Sequence, residues 1–211
     1  MSTFFAVAGA LLEQKKKKEP LRLKGLKSTG TEWIDTGVEA TQDTYIRVKA
    51  MTTGIQVSQY DALFGARNGN ANQRWMYGSV IRYGADSFSY LMYQVETVED
   101  TFNEYGFDHN SVFKNGVVVK TFDAVEYTGL NIALFAVKNS VYDVQYQGAY
   151  IIGESIVGDK QFVPVELTEP TIDVHTGVIK PIGDCGMLDT VKNEYRGNHG
   201  TGDFIPVYNT P

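Results

Sequence analysis

From Gly25 onward no stretch sustains the 3.6-residue apolar period of a helix. Short β-rich runs follow one another instead, each closed by Gly, Asn or Asp. The pattern predicts strands over 44–51, 62–66, 74–77, 87–93, 112–122, 132–137 and 149–155. The sharpest local signal is Asn115-Gly116, set between the β-rich residues 111–114 and 117–120. A two-residue hairpin turn of type I′ needs positive φ at both central positions, and Asn-Gly tolerates that best. Many short strands without βαβ alternation predict an all-β fold, a two-sheet antiparallel jelly-roll β-sandwich closed by burial between its inner faces. A length of 211 residues accommodates that architecture as one domain over 25–211. Cys185 is the only cysteine, so no intrachain disulfide is available and the fold rests on burial and hydrogen bonds.

Charge is unevenly placed. Residues 1–27 hold seven lysines and arginines against two glutamates, or +5, which leaves −11 for the remainder of a chain whose net charge is −6. The acidic body repels nucleic acid and anionic membrane at long range, so neither is expected as a partner. Within residues 1–24, Phe4, Phe5, Val7, Ala8, Leu11 and Leu12 recur at helical spacing ahead of Lys15, Lys16, Lys17 and Lys18, and Pro20 follows. A short N-terminal arm with one apolar helical stripe is expected. It is too short to span a bilayer, and its positive charge follows the apolar segment instead of preceding it as in a secretory leader. Three roles are open to it: a helix packed on its own domain, a membrane-surface segment, or an anchor that docks its apolar face on a partner while the lysines meet acidic groups. The anchor is the reading carried forward.

Five elements in order support a family resemblance. They are residues 28–31 (Ser-Thr-Gly-Thr) with 33–37 (Trp-Ile-Asp-Thr-Gly), the Leu63-Phe64-Gly65-Ala66-Arg67-Asn68 run, Asn115-Gly116, Leu134-Phe135-Ala136, and the Gly-Thr-Gly-Asp-Phe close at 200–204. Over roughly 25–207 the chain resembles the concanavalin A-like jelly-roll domains of the laminin-G and pentraxin type found in gut bacteria and their phages. The resemblance implies a two-sheet sandwich whose members bind glycans, bind proteins or decorate surfaces, mostly without catalysis. Residues 168–184 depart from it, because they exceed the short connector expected there, and so does the basic arm.

Related jelly-roll endoglucanases carry a Glu-x-Asp-x-x-Glu strand whose alternation aims carboxylates into one cleft, and that motif is absent here. The densest acidic stretch, Glu96, Glu99, Asp100 and Glu104, places same-face carboxylates about 13 Å apart along a strand, wider than glycosidase pairs use. It reads as a solvated loop or edge strand. His109, His175 and His199 stand alone in sequence, and Cys185 has no histidine or cysteine near it, so zinc spacing is missing and each reads as structural. No cofactor is expected. Calcium is the one alternative, held by Asp184 with Asp189 or by Asp35 with Asp61, since hard cations take several loop oxygens. The stretch 67–77, read as a loop, offers Arg67, Asn68, Asn70, Arg74, Trp75 and Tyr77 as candidate glycan-binding residues, mixing planar hydrogen-bonding groups with rings that can stack on a sugar. Trp33, inside the family-like opening, reads as core.

Two functions of different kinds follow. One is a non-enzymatic structural or adhesion component of a phage particle, a capsid decoration, head fibre or tail-associated protein on the virion surface. Its arm would join it to other virion proteins, and its jelly roll would face outward towards host or gut glycans. The other is a free-standing carbohydrate-binding module or a lectin-like protein of a bacterial cell surface. The first is preferred.

Overall fold

The computed structural model describes residues 18–53, 60–69, 71–77, 80–84, 91–94, 101–122 and 128–210, and side chains for all of these except 71–94. The arm residues Phe4, Phe5, Val7, Leu11, Leu12, Lys15, Lys16 and Lys17 lie outside the described residues, as does the helix expected there.

The chain is all-β. Its strands in order are β1 (Leu21–Arg22), β2 (Gly25–Lys27), β3 (Ile34–Glu39), β4 (Ile46–Thr52), β5 (Ala62–Asn68), β6 (Ala71–Tyr77), β7 (Val80–Gly84), β8 (Leu91–Gln94), β9 (Asn103–Asp108), β10 (Ser111–Lys114) and β11 (Val117–Thr121). They continue with β12 (Asn131–Leu134), β13 (Val137–Asn139), β14 (Asp143–Gln145), β15 (Tyr150–Val157), β16 (Lys160–Glu166), β17 (Thr171–Ile172), β18 (Ile179–Lys180), β19 (Cys185–Asp189), β20 (Glu194–Arg196) and β21 (Ile205–Val207). One large sheet runs β11-β10-β9-β4-β15-β16-β19-β20, with β1 on β16 and with β2 between β15 and β21. A second runs β14-β13-β5-β6-β7-β8, with β12 joining β5 to β3. Among the described residues the strands pair antiparallel except β13 with β5, and the isolated bridges Ala62 to Gln147 and Asp173 to Tyr195 are also parallel. The strands β17 and β18 form a separate ribbon.

Alternation decides which faces meet. On β4, Ile46, Val48 and Ala50 are buried while Lys49 is exposed, and on β9 the buried positions include Tyr105 and Phe107. Side chains from both sheets enter a single apolar cluster, in which the rings of Phe64 on β5 and Phe107 on β9 meet edge to face at 5.8 Å. Such pairs add about 0.5–1.5 kcal/mol to what their burial contributes. The central strand β5 is buried from Ala62 to Arg67, so both of its faces are covered.

The Asn115-Gly116 turn forms as expected, with φ of 52° and 76° and Lys114 opposite Val117. Three expectations need correction. The stretch 67–77 is not a loop: Arg67 and Asn68 end β5, residues 71–77 are β6, and only positions 69–70 separate them. Glu104 does not lie in a solvated loop or edge strand. It sits on β9 between β4 and β10, 3.0 Å from Arg47, while Glu96, Glu99 and Asp100 fall outside the described residues. The boundary expected at 24/25 falls inside the sheet, since Leu21 and Arg22 pair with Glu166 and Val165, the Leu23 amide donates to the Pro164 carbonyl at 2.9 Å, and Leu23 is buried.

Replacing Phe107 with Ala removes one half of the contact between the sheets and leaves a cavity. The expected loss is about 3–5 kcal/mol in equilibrium urea unfolding. A loss below about 1 kcal/mol would mean that the two sheets do not share this core.

Candidate functional site

The two segments that carried the family resemblance at opposite ends of the chain meet in space. Residues 28–32 wrap the Glu32 carboxylate: Oε2 accepts from Ser28 Oγ at 2.9 Å and from the Thr29 amide at 2.8 Å, Oε1 accepts from Thr29 Oγ1 at 2.9 Å, and Thr31 Oγ1 lies 3.2 Å from Oε1. Glu32 is 1% exposed. Burial alone would raise its pKa, but the hydrogen bonds from Thr29 and Ser28 outweigh burial and hold it below its ordinary 4.5. The closing segment locks onto this cage. Thr31 Oγ1 donates to the Thr201 carbonyl, the His199 amide donates to the Trp33 carbonyl at 2.9 Å, and Asn198 Oδ1 accepts from the amides of Trp33 at 3.1 Å and Gly200 at 2.8 Å. Gly200 is required by contact, because a Cβ there would stand 1.8 Å from the Thr31 carbonyl oxygen. Phe204 then enters the core against Phe135, ring centres 4.9 Å apart.

Beside this lock the structure gathers two histidines that stand 24 positions apart in sequence. The rings of His175 and His199 meet edge to face at 4.4 Å, and His199 also lies 5.1 Å from Trp33. Each faces a buried aspartate: His175 Nδ1 is 3.9 Å from Asp35 Oδ2, and His199 Nε2 is 3.9 Å from Asp173 Oδ2. Lys138 Nζ sits 5.0 Å from the Trp33 ring centre and 3.9 Å from Asp35, and it is paired at 2.6 Å with Asp143. Burial, reinforced by the neighbouring His175, holds His199 below its ordinary pKa of 6.5, so the native state favours the neutral imidazole. Around this cluster opens a depression of about 400 Å³, lined by Trp33, Asp143, Gln147, His199 and Thr201 among others. Indole, amide, carboxylate and hydroxyl groups there suit reversible hydrogen bonding to a polar ligand.

A second set of buried cations ties one sheet to the other. Lys160 on β16 donates to the Thr36 carbonyl at 3.1 Å and the Gly37 carbonyl at 3.4 Å, while Arg196 Nη1 on β20 donates to the Asp35 carbonyl at 3.0 Å. Burial, followed by the nearby Arg196, lowers the Lys160 pKa. Three successive carbonyls of β3 thereby bind cations from the facing sheet.

The described glycan candidates lie along the paired strands β5 and β6, away in sequence from the residues of the histidine cluster. Arg67 is buried and donates from Nη1 to the Tyr146 hydroxyl at 3.0 Å, and Asn68 is exposed and accepts from Ser140 Oγ at 2.7 Å. Arg74, Trp75 and Tyr77 lie on β6 opposite Ala66, Gly65 and Ala62, and Asn70 lies outside the described residues. Lys18 is exposed, and its amide lies 3.3 Å from Glu169 Oε2 beside a cleft of about 330 Å³ that also includes Arg22 and Tyr195. Of the calcium candidates, Asp184 accepts from the Tyr195 hydroxyl at 2.8 Å, Asp189 from the Val191 amide at 2.9 Å, and Asp35 from the Gly37 amide at 2.8 Å and Asn131 Nδ2 at 3.0 Å, while Asp61 is buried. Among the described residues no three His, Cys, Asp or Glu side chains converge in a way that could hold a metal ion. Cys185 is buried, and burial, with Glu166, Asp184 and Asp203 nearby, pushes its thiol up to about 11. His109 stands apart, 2.6 Å from Asp108. Sequence reasoning missed the pairing of His175 with His199, and no spacing signal could have revealed it.

No protein-family model, no curated protein and no solved structure matches the chain.

The lowered His199 pKa fixes the sign of a pH effect. The unfolded chain binds the proton more readily than the native one, so this contribution to stability is complete above about pH 6.5 and is lost as pH falls through the lower native value. Urea midpoints should therefore drop on acidification from pH 8 to about 5.5, and His199→Asn should flatten that slope. An unchanged slope in the variant would remove His199 from the account. Separately, Gly200→Ala should cost more than about 3 kcal/mol, because the clash is with backbone.

Proposed function

We propose that this protein is a non-enzymatic structural and adhesion component of a phage particle, a concanavalin A-like jelly-roll sandwich held in place by its basic, apolar leader. The observation that carries the reading is how the chain is fastened from Lys18 onward. The described chain begins at Lys18 on the rim of a cleft, with Glu19 and Lys18 fastened to Thr168 and Glu169 and with β1 paired on β16 directly behind them. The described chain that follows the apolar, lysine-rich stretch is thus fastened to an acidic body at Glu19 and β1, which supports a tether running from that point to a neighbouring subunit. Two large sheets sharing one core support the sandwich, and the register of opening and closing segments around Glu32 supports the family resemblance. The non-enzymatic reading is supported by the Cys185 thiol, which is buried and held protonated by its surroundings. The depression beside Trp33 and Thr201 is the surface on which this reading places contact with a host or gut glycan.

The test is a pair of truncations. Removing residues 1–17 leaves β1 and Leu23 in place, and the product should stay folded but fail to enter particles. Removing residues 1–24 also takes away β1 and the buried Leu23, and should cost about 2–5 kcal/mol of stability. Incorporation of the shorter deletion into particles at the full-length level, measured by mass spectrometry of purified particles, would refute the tether.

A further inference from the structure

The chain holds two Asn-Gly dipeptides, Asn68-Gly69 at the end of β5 and Asn115-Gly116 between β10 and β11. An asparagine followed by glycine is open to attack on its own carboxamide, because the glycine nitrogen reaches the side-chain carbon with no Cβ in the way. Space does not separate the two. A Cβ built on Gly116 would meet nothing within 4 Å, one on Gly69 would meet Val141 Cγ2 at 3.7 Å, and both asparagines are exposed. What separates them is how each carboxamide is held. Asn115 is tied at both ends: Oδ1 accepts from the Glu104 amide at 2.8 Å, and Nδ2 donates to Asn103 Oδ1 at 2.8 Å. Turning its side-chain carbon towards Gly116 breaks both bonds. Asn68 has a single tie, Oδ1 accepting from Ser140 Oγ at 2.7 Å, and among the described residues its Nδ2 donates to nothing. Ser140 is itself exposed, and its hydroxyl rotates to follow its acceptor.

We propose that Asn68 is a site of spontaneous deamidation in the folded protein, and that the β10–β11 hairpin keeps Asn115 intact. The Gly69 nitrogen gives up its proton and bonds to Asn68 Cγ. The bond from Cγ to the side-chain nitrogen breaks, and that nitrogen leaves as ammonia with the proton, closing a five-membered succinimide. Water then opens the ring on one side or the other, leaving aspartate or isoaspartate at position 68. In sum one carboxamide and one water become one carboxylate and one ammonium ion, and no oxidant or metal is needed. The product fits at one turn and not at the other. The Ser140 hydroxyl donates to a carboxylate at position 68 as readily as to the amide, whereas a carboxylate at position 115 would face Asn103 Oδ1 with no proton to share. Reaction at Asn115 waits for the hairpin to open, so its rate falls with the fraction of time the hairpin is open. Each event at Asn68 makes the net charge of −6 more negative by one, beside the buried Arg67.

The experiment ages the full-length chain at mildly alkaline pH, once folded and once in urea, and follows both asparagines by peptide mapping with mass spectrometry. Circular dichroism confirms that the first sample stays folded. In urea the two dipeptides should convert at similar rates. In the folded chain Asn68 should convert at least about tenfold faster than Asn115, because only the latter must first open locally. Asn103→Ala removes one tie from Asn115 and should raise its rate in the folded state while leaving Asn68 unchanged. Should that variant fail to fold, the comparison of folded and unfolded parent chain decides alone. Equal rates in the folded parent, an Asn115 faster than Asn68, or an Asn68 that stays intact while the urea sample converts would each overturn the proposal. So would a folded Asn103→Ala whose Asn115 reacts no faster than the parent's.

Discussion

The burial of one carboxylate, Glu32, sets the terms for the rest of the molecule. A charge taken out of water must be met by several donors at once, and the hydroxyls and amides of residues 28–31 meet it. That cage fixes the path of the chain immediately before β3. The closing segment can then lie against it with its own amides and carbonyls satisfied, through Asn198 and Gly200. With those ends joined, β3 is presented to the opposite sheet with three consecutive carbonyls facing Lys160 and Arg196, and the aromatic core closes beneath. The polar seam and the apolar core are two results of one local arrangement.

The same arrangement brings together the groups around the depression. Trp33 follows Glu32 directly, His199 precedes the Gly200 contact, and His175 sits in the turn of the ribbon that packs on Tyr195 through the Val174 amide. None of these side chains is placed by its own neighbours in sequence. They are placed because three distant segments converge where the chain closes. A neutral His199 between another histidine and an aspartate ties this region to pH, and Lys138 stands beside it between Asp35 and Asp143.

What could be read from sequence follows from the range of each interaction. The Asn115-Gly116 hairpin depends on two residues' φ preferences and was legible at once. The division into β4, β5, β12 and β15 was legible because their apolar residues carry the signal locally. The strands β1, β3 and β9 were not read, since each pairs with a strand more than 50 residues away, and β17 and β18 were not, since their ribbon has little apolar alternation. The motifs at 28–33 and 200–204 were noticed as a resemblance, but their physical content, a shared carboxylate cage, needed the fold. The glycan candidates rest on composition alone. Composition drew attention to Arg67 and Asn68, and the structure commits both to neighbours, Tyr146 and Ser140, while the depression opens at Trp33 and Thr201.

Native-state hydrogen exchange of the amides of Trp33, His199 and Gly200 addresses the governing lock most directly. If the contact between residues 28–33 and 198–204 holds the whole structure closed, these amides should open only with the global unfolding free energy, matching the Ile152 amide in the centre of β15. Exchange through a local opening several kcal/mol cheaper than that of Ile152 would show that the two ends meet without bearing on the rest of the fold.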